Sequence, residues 1–305
     1  MRPNNFIQVP FQGASDLARM QALARRFPDD HPHGIDLPYR FSSWALDEPQ
    51  NVGLWCDADG ELAGWAVVQT PFWAFDIVCQ PDCAAGLYPQ LLAWAGSRAR
   101  AVQDTPYGRP AWFAMLFSEQ TARIEALEAA GFTSQSAAGE DSWSQVLMRR
   151  PGQAPLPAPA LPAGYSIRPL AGAAEAPDYV ALHQAVFESK NMTVEWRLRT
   201  LQQPAYRPEL DLVAIAPDGR LAAFCISWYD AASRSGQVEP LGCHPEHRRS
   251  GLGRAILAEG LHRLQSLGAK QMFVQTDSYY DSAFRLYQNI GFEVVRNILV
   301  FQNEQ

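Results

Sequence analysis

A proline-rich segment near the middle of the chain limits the folds open to it more than any other feature. The stretch "PGQAPLPAPALPAG" carries five prolines between positions 151 and 162. Proline lacks a backbone N–H and has a fixed φ, so this composition favours an extended, semi-rigid linker over helix or strand. The sequence therefore predicts two domains, residues 1–150 and 164–305, joined by a linker at 151–163.

The second half of the chain has the pattern of an α/β domain. Two apolar runs, 210–216 and 220–230, flank an Asp218-Gly219 pair and predict a β-hairpin. A short strand, a helix, a strand, a second helix and a last strand follow by their hydrophobic periodicity. The first half repeats this order faintly, and both halves place Gly-Phe after their last helix. We therefore expect a tandem duplication of an α/β (α+β) unit built around a mixed sheet.

The overall composition excludes several classes of protein. The chain of 305 residues is 47% hydrophobic and has a net charge of -7, which argues against a general basic surface for nucleic acid or an anionic membrane. It has no apolar run of membrane-spanning length and no signal-peptide pattern, so we expect a cytoplasmic protein. Its five scattered cysteines predict reduced thiols rather than a disulfide framework.

One turn, "HPEHRRSGLGRAIL", combines bare backbone with positive charge. Gly251 and Gly253 follow Arg248 and Arg249 and precede a predicted helix, whose first N–H groups lack partners and attract anions. The turn therefore predicts a seat for a pyrophosphate, with Arg254 beside it. A solvated basic helix start is the alternative, and this pattern alone leaves both open. A Walker A loop and a dinucleotide fingerprint fit poorly, because the required lysine and third glycine are missing.

Two motifs together resemble the GNAT acetyltransferase superfamily. "RRSGLG" at 248–253 is similar to the family's acyl-CoA motif Arg/Gln-x-x-Gly-x-Gly/Ala, and "LYQNIGF" is similar to its closing Leu-Tyr-x-x-x-Gly-Phe block. The resemblance is clear from about Tyr165 to Phe301 and degenerate before the linker. It implies two tandem GNAT-like domains, each with a mixed, mostly antiparallel sheet flanked by helices. It also implies an N-acetyltransferase that moves an acetyl group from acetyl-CoA to an amine by direct attack in a ternary complex.

The resemblance implies a site for acetyl-CoA in this sequence, and it implies no metal. Strand residues would pair through their backbone with the pantetheine of acetyl-CoA: Leu241, Gly242 and Cys243. The turn would cradle the pyrophosphate: Arg248, Arg249, Ser250, Gly251, Leu252, Gly253 and Arg254. One position departs from the family, because Tyr280 stands where many members have asparagine, so a side-chain bond to the cofactor is in doubt there.

Acetyl transfer to an amine needs a base for the amine and an acid for the departing thiolate. Tyr287 matches the family's tyrosine and is the candidate acid, although the same residue fits a core position on its helix. Glu239 is the candidate base, since strand alternation places it on the face of Leu241 and Cys243. Some relatives have a base glutamate on the next strand, but this chain has Gln275 there. Asp277, just beyond it, is the second candidate base. The sequence leaves the choice between Glu239 and Asp277 open.

Other readings of the sequence remain beside this one. Cys243 as a nucleophile is disfavoured against a small buried hydrophobe, and "DDHPHGID" is read as a polar loop rather than a metal site. A non-catalytic acyl-CoA-binding sensor or interaction module is the alternative function. The acceptor, a small amine or an amino group of a larger molecule, and the assembly, monomer or homodimer, are not specified by the sequence.

The first copy lacks the residues that the proposed chemistry requires. Aligning "CQPDCAAGLY" with the glycine turn needs one deletion and places Tyr88 at the second glycine. Leu127 stands where the second copy has its candidate acid. We therefore expect no catalysis in this half and no cofactor binding of the usual kind.

Overall fold

The computed structural model describes residues 6–136, 143–277 and 282–304. The chain divides into two compact units. The first comprises Met1–Gly34, Trp44–Val146 and Arg296–Gln305, and the second comprises Ile35–Ser43 and Leu147–Val295. Each unit therefore contains a short segment from a distant part of the sequence, which the pattern of halves and linker does not reveal.

The described residues form the following elements. The α-helices are α1 (Ala14–Arg26), α2 (Leu37–Phe41), α3 (Ala84–Val102), α4 (Thr121–Ala129), α5 (Ala176–Phe187), α6 (Val194–Leu201), α7 (Leu252–Ser266) and α8 (Ser282–Asn289). The strands are β1 (Ile7–Val9), β2 (Val52–Cys56), β3 (Leu62–Gln69), β4 (Ala74–Cys79), β5 (Ala111–Phe117), β6 (Thr133–Ser134), β7 (Ser144–Pro151), β8 (Ser166–Pro169), β9 (Asp211–Ile215), β10 (Leu221–Asp230), β11 (Ser235–Cys243), β12 (Gln271–Asp277) and β13 (Glu293–Glu304).

The first unit is built on the strand order β1-β2-β3-β4-β5-β13, with β6 also beside β13. Neighbours are antiparallel except β4 and β5, which are parallel. Helix α3 covers this sheet with fully buried residues at helical spacing, Leu87, Leu91, Ala95 and Ala99. This apolar stripe and the buried strands form the core of the unit.

The second unit has the strand order β7-β12-β11-β10-β9-β8. Strands β8 to β11 are antiparallel neighbours, and β11 and β12 are parallel. The predicted hairpin joins β9 to β10 through Gly219, whose φ is 87°. Leu257, Leu261 and Leu264 of α7 are fully buried. The order β9-β10-β11-α7-β12-α8 repeats β2-β3-β4-α3-β5-α4, which confirms the tandem α/β fold.

The proline-rich segment is held against the second unit. Residues 155–162 form neither helix nor strand, because proline lacks the backbone N–H that both structures use. On their N-terminal side, Gln265 Nε2 donates a hydrogen bond of 2.6 Å to the carbonyl oxygen of Gly152. His262 Nε2 lies 3.1 Å from the carbonyl oxygen of Pro157. Both partners lie on α7, so the segment is attached along this helix.

Two further sequence expectations concern the environment of the chain. None of the helices within the described residues has the length and apolar character needed to cross a bilayer. All five cysteines lie in the described part of the chain and are unpaired; Cys243 is partly exposed and the other four are buried.

Candidate active site

The two parallel strands of the second unit, β11 and β12, are paired at one end only. Their ladder joins Ser235–Gln237 to Gln271–Phe273, although β11 continues to Cys243 and β12 to Asp277. Strand β10 pairs with the other edge of β11 as far as Cys243. Among the described residues, one edge of β11 therefore has no strand partner beyond the ladder, and an extended ligand can add there as an extra strand.

The open part of β11 shows a regular alternation of burial. Glu239, Leu241 and Cys243 are partly exposed, whereas Pro240 and Gly242 are buried. In a regular strand, alternate residues point to opposite faces. Leu241 and Cys243 therefore share one face, and Gly242 points to the other, towards Phe224 and Val186.

Helix α7 begins directly after the glycine turn. Gly251 precedes its first residue with a φ of 86°, a left-handed conformation that favours glycine. The N–H of Ala255 donates to the carbonyl oxygen of Gly251 at 3.0 Å. Within the part of the chain that the structure describes, the N–H groups of residues 249–254 have no acceptor. Together with the helix dipole they form a site for an anion.

The three arginines of the turn differ in what their side chains contact. Arg248 Nε donates to the carbonyl oxygen of Cys243 and Arg248 Nη2 to that of Val186, both at 3.2 Å. Arg249 and Arg254 are exposed and bond to no described residue through their side chains. Only these last two guanidinium groups are thus entirely available to a ligand.

The side chains of the remaining turn residues either bond or pack within the protein, or are absent because the residue is glycine. Ser250 Oγ donates to the carbonyl oxygen of His247 at 2.7 Å, and Leu252 is buried in the core. A Cβ built on Gly253 would come no closer than 3.9 Å to Leu286. These residues therefore offer a ligand their backbone.

Gly242 has no room for a side chain. A Cβ there would lie 2.4 Å from Phe224 Cζ and 2.6 Å from Val186 Cγ1. We expect Gly242→Ala to destabilise the protein by about 1–3 kcal/mol through overpacking, measured as a lower midpoint in differential scanning calorimetry. The matched control is Gly86→Ala on α3, where a Cβ meets nothing within 4 Å. Equal midpoints for the two variants would contradict the close packing.

Glu239 lies at a β-bulge. The register between β10 and β11 shifts here, so that Glu239 and Pro240 together oppose the single residue Ile226. The Glu239-Pro240 peptide bond is cis, and Trp228 Nε1 donates to the carbonyl oxygen of Glu239 at 2.8 Å. Bulges redirect side chains and are frequent next to functional sites. The bulge places Glu239 on the face of Ile226, towards α5, so the prediction that it shares a face with Leu241 and Cys243 was wrong.

The carboxyl group of Glu239 is in an unusual electrostatic environment. Its pKa is raised to about 8, mainly by burial and also by the nearby Asp36, while Arg40 acts in the opposite direction. Asp36 and Arg40 are themselves 1% and 6% exposed. A carboxyl with a pKa of about 8 can take up and release a proton in mildly basic solution.

Helix α2 brings these two charged residues into the second unit. The hydroxyl of Tyr39 lies 3.2 Å from His183 Nε2 on α5. On α6, Trp196 Nε1 donates to the carbonyl oxygen of Tyr39 at 3.3 Å, and the two rings are 5.5 Å apart. Sequence reasoning missed this segment; the only signal was a pair of opposite charges, Asp36 and Arg40, in an otherwise apolar run.

The candidate acid and the second candidate base lie on other elements. Tyr287 is on α8, 6% exposed, with its ring 5.9 Å from that of Phe292. Asp277 is exposed at the end of β12, and Gln275 is partly exposed on the same strand. Tyr280 lies outside the described residues. The catalytic roles of Glu239 and Tyr287 therefore stay predictions.

Cys243 is a poor nucleophile in this environment. Burial raises the pKa of its thiol, and the nearby Arg248 offsets this in part. A raised pKa keeps the sulfur protonated at neutral pH, and the thiolate is the reactive form. The weak contact of Cys243 Sγ with the carbonyl oxygen of His244, at 3.8 Å, does not activate it.

Three side chains beside the turn could approach a metal ion. Within the described residues, ligand atoms of His244, Glu246 and His247 lie within 4.8 Å of one another. His244 Nδ1 already accepts a bond from the N–H of Glu246 at 3.3 Å, and the hydroxyl of Tyr165 lies 2.8 Å from His247 Nδ1. These bonds give both histidines a role in shaping the turn.

In the first unit the two parallel strands, β4 and β5, also diverge, but side chains fill the space between them. Strands β4 and β5 pair only where residues 74–75 meet 113–114, yet every residue of β4 is buried. Arg123 of α4 lies at the end of β4. Its Nη2 donates to Asp30 Oδ2 at 2.7 Å and to Cys79 Sγ at 3.4 Å. The cleft that is accessible in the second unit is thus occupied by side chains in the first.

The connection between strand and helix also differs between the copies. It comprises residues 80–83 in the first unit and 244–251 in the second, so it is half as long. Helix α3 begins at Ala84, so Tyr88, which aligns with Gly253, lies in the second turn of the helix. Its ring packs 5.1 Å from the Arg123 guanidinium carbon.

The fold and this site together define a class of protein: an α/β unit with a glycine turn and helix start beside two diverging parallel strands. Residues 177–292 match the model of the Acetyltransferase (GNAT) family. This part of the chain is a GNAT domain and belongs to that family.

Individual relatives agree with this assignment. The chain is 32% identical over 153 residues to a mycothiol acetyltransferase of Thermobispora bispora, covering 48% of this chain and 52% of the relative. It is 36% identical over 146 residues to a mycothiol acetyltransferase of Kineococcus radiotolerans, covering 46% of each. The chain thus spans about half the length of the curated relatives it matches.

Solved structures extend the likeness of fold to both units. A GCN5-related N-acetyltransferase from Sphaerobacter thermophilus matches with a TM-score of 0.68 at 20% identity, covering 99% of this chain and 96% of that one. A tandem GNAT protein from the clavulanic acid biosynthesis pathway matches with a TM-score of 0.66 at 14% identity, covering 98% of each chain. At these identities the likeness concerns the fold alone.

Proposed function

We propose that the second unit is an N-acetyltransferase that transfers an acetyl group from acetyl-CoA to an amine by direct attack in a ternary complex. The observation that carries this proposal is the open edge of β11 next to unsatisfied N–H groups at the start of α7. A thioester with a long polar arm and a pyrophosphate suits both features. With this function we propose a degenerate first domain at residues 1–150, a linker at 151–163 and a catalytic domain at 164–305.

The proposed cofactor contacts follow from the two halves of acetyl-CoA. The pantetheine arm would pair with the backbone of residues 241–243, as an added strand does. The pyrophosphate would bind the N–H groups of residues 249–254 and the exposed side chains of Arg249 and Arg254. Most of this seat is backbone.

Glu239 is the proposed base. It lies at the bulge of β11, where burial is the main cause of a pKa raised to about 8, whereas Asp277 is exposed to solvent. The carboxylate would take the proton of the attacking ammonium, directly or through water, so that the neutral amine attacks the thioester carbon. Tyr287 would then protonate the departing thiolate.

The proposed acceptor is a small molecule with an amino group. The sequence relatives are named for mycothiol, so a mycothiol-related amine is the first acceptor to examine. A thermal-shift panel of amines in the presence of CoA, followed by thiol release from acetyl-CoA with the hits, tests the function. We expect release that depends on the amine. Binding of CoA without release for any amine would favour the non-catalytic module instead.

We expect one acetyl-CoA to bind per chain. The second unit offers the seat, whereas Arg123 and the short turn close the first. Isothermal titration calorimetry measures the number of sites. Gly253→Glu should abolish binding, because it places a negative charge in the anion seat. Gly86→Glu, the same change near the start of α3, should leave binding intact. Two sites in the wild type, or equal effects of the two variants, would contradict this assignment.

A further inference from the structure

The last turn of α5 packs directly against the strand that carries the proposed cofactor edge. Val186 of α5 touches Gly242 of β11 so closely that a Cβ on Gly242 would lie 2.6 Å from Val186 Cγ1. Gly242 is also in register with Phe224 of β10. The position of the open strand edge therefore depends on where the end of α5 lies.

Arg248 bonds the same two elements from outside. Its Nε donates to the carbonyl oxygen of Cys243, the last residue of β11, and its Nη2 to the carbonyl oxygen of Val186. The last carbonyls of a helix have no partner within the helix, and a cation there also interacts favourably with the helix dipole. The planar guanidinium can hold two such acceptors at a fixed separation.

Helix α5 is at the same time the helix that faces the proposed base. Glu239 acts electrostatically on Tyr179 of α5, and His183 of α5 bonds Tyr39 of α2. Asp36 and Arg40, the charged neighbours of Glu239, flank or lie on α2. Helix α5 thus contacts the cofactor strand at its end and faces the surroundings of the base along its length.

We propose that Arg248 is a positioning residue, which locks the base-side helix α5 to the cofactor strand β11, rather than a phosphate ligand. The proposal rests on the proposed acetyltransferase function for its kinetic consequence, and on the two carbonyl contacts and the Gly242 packing for its structure. Although Arg248 opens the acyl-CoA motif, its side chain would act on the pantetheine end of the site. Arg249 and Arg254 would act on the phosphates.

Kinetics with two acetyl donors, acetyl-CoA and S-acetylpantetheine, distinguish a positioning residue from a phosphate ligand. S-acetylpantetheine has the thioester and the arm of acetyl-CoA without its nucleotide and pyrophosphate. We expect Arg248→Gln to lower kcat/KM by the same factor with both donors, roughly tenfold, because both lost hydrogen bonds are exposed to solvent and contribute less than buried ones. Arg254→Gln, the matched change at an exposed arginine of the same turn, should lower kcat/KM with acetyl-CoA only. A loss for Arg248→Gln with acetyl-CoA alone would make it a phosphate ligand and overturn the proposal.

Hydrogen exchange tests whether Arg248 holds α5 to β11, and it needs no catalytic turnover. In Arg248→Gln we expect faster exchange of amides in the last turn of α5, residues 184–188, and in Arg254→Gln the wild-type rate. Equal exchange in both variants would overturn the proposal. If the wild type transfers no acetyl group, the proposed function fails while this measurement still decides whether Arg248 holds α5 to β11.

Discussion

Replacement of Glu239 by glutamine is expected to lower kcat/KM for acetyl transfer by roughly 10²–10⁴-fold, the range for loss of a general base. Glutamine keeps the shape of the side chain and removes its capacity to accept a proton. Steady-state thiol release with a reactive amine measures the effect. Glu293→Gln, the same change at an exposed carboxyl of β13, serves as control and should retain full activity. Full activity of Glu239→Gln would return the role of base to Asp277.

The pH profile should carry the signature of the same group. The active form of a base is the carboxylate, and burial raises the pKa of Glu239 to about 8. The rate should therefore rise with pH through about 8. Asp36 raises this pKa, so Asp36→Asn should shift the rise to lower pH. An unshifted profile in Asp36→Asn would show that Asp36 does not act on the catalytic base.

Replacement of Tyr287 by phenylalanine is the second change with a large expected effect. Without an acid the thiolate must leave unprotonated, so kcat should fall by roughly 10²-fold or more. The dissociation constant of acetyl-CoA should be unchanged in calorimetry, because the hydroxyl acts in the transition state rather than in binding.

The control for Tyr287 is another tyrosine of the same unit. Tyr229 donates a hydrogen bond of 3.0 Å to the carbonyl oxygen of Leu267 and is in register with Gly236, away from residues 241–243 of β11. Tyr229→Phe should cost a little stability and no activity. If Tyr287→Phe kept wild-type kcat, Tyr287 would be a core residue of α8, as its burial beside Phe292 also allows.

Local patterns predicted the elements that hold the proposed cofactor site. The Asp218-Gly219 pair marks a hairpin because glycine adopts the positive φ that the turn needs. The leucine stripe of α7 and the glycine turn before it depend on neighbours within a few residues. Such features are encoded in short stretches and can be read without knowledge of the tertiary structure.

Contacts between distant segments could not be predicted in this way. Helix α2 joins the second unit through Tyr39, whose partners His183 and Trp196 are more than a hundred positions away. The bulge at Glu239 depends on the register of β10 against β11. Closure of the first copy depends on Arg123 reaching Asp30 and Cys79. Each is set by packing across the unit, which a linear pattern does not contain.

The central claim is that the second unit moves an acetyl group onto an amine. Mass spectrometry of the acceptor, together with the thiol released from acetyl-CoA, tests it most directly in the full chain. The account predicts one acetylated amine for each thiol released by the wild type, and neither product from Gly253→Glu. Thiol release without acetylated amine, or bound acetyl-CoA that yields neither product with any amine, would contradict it.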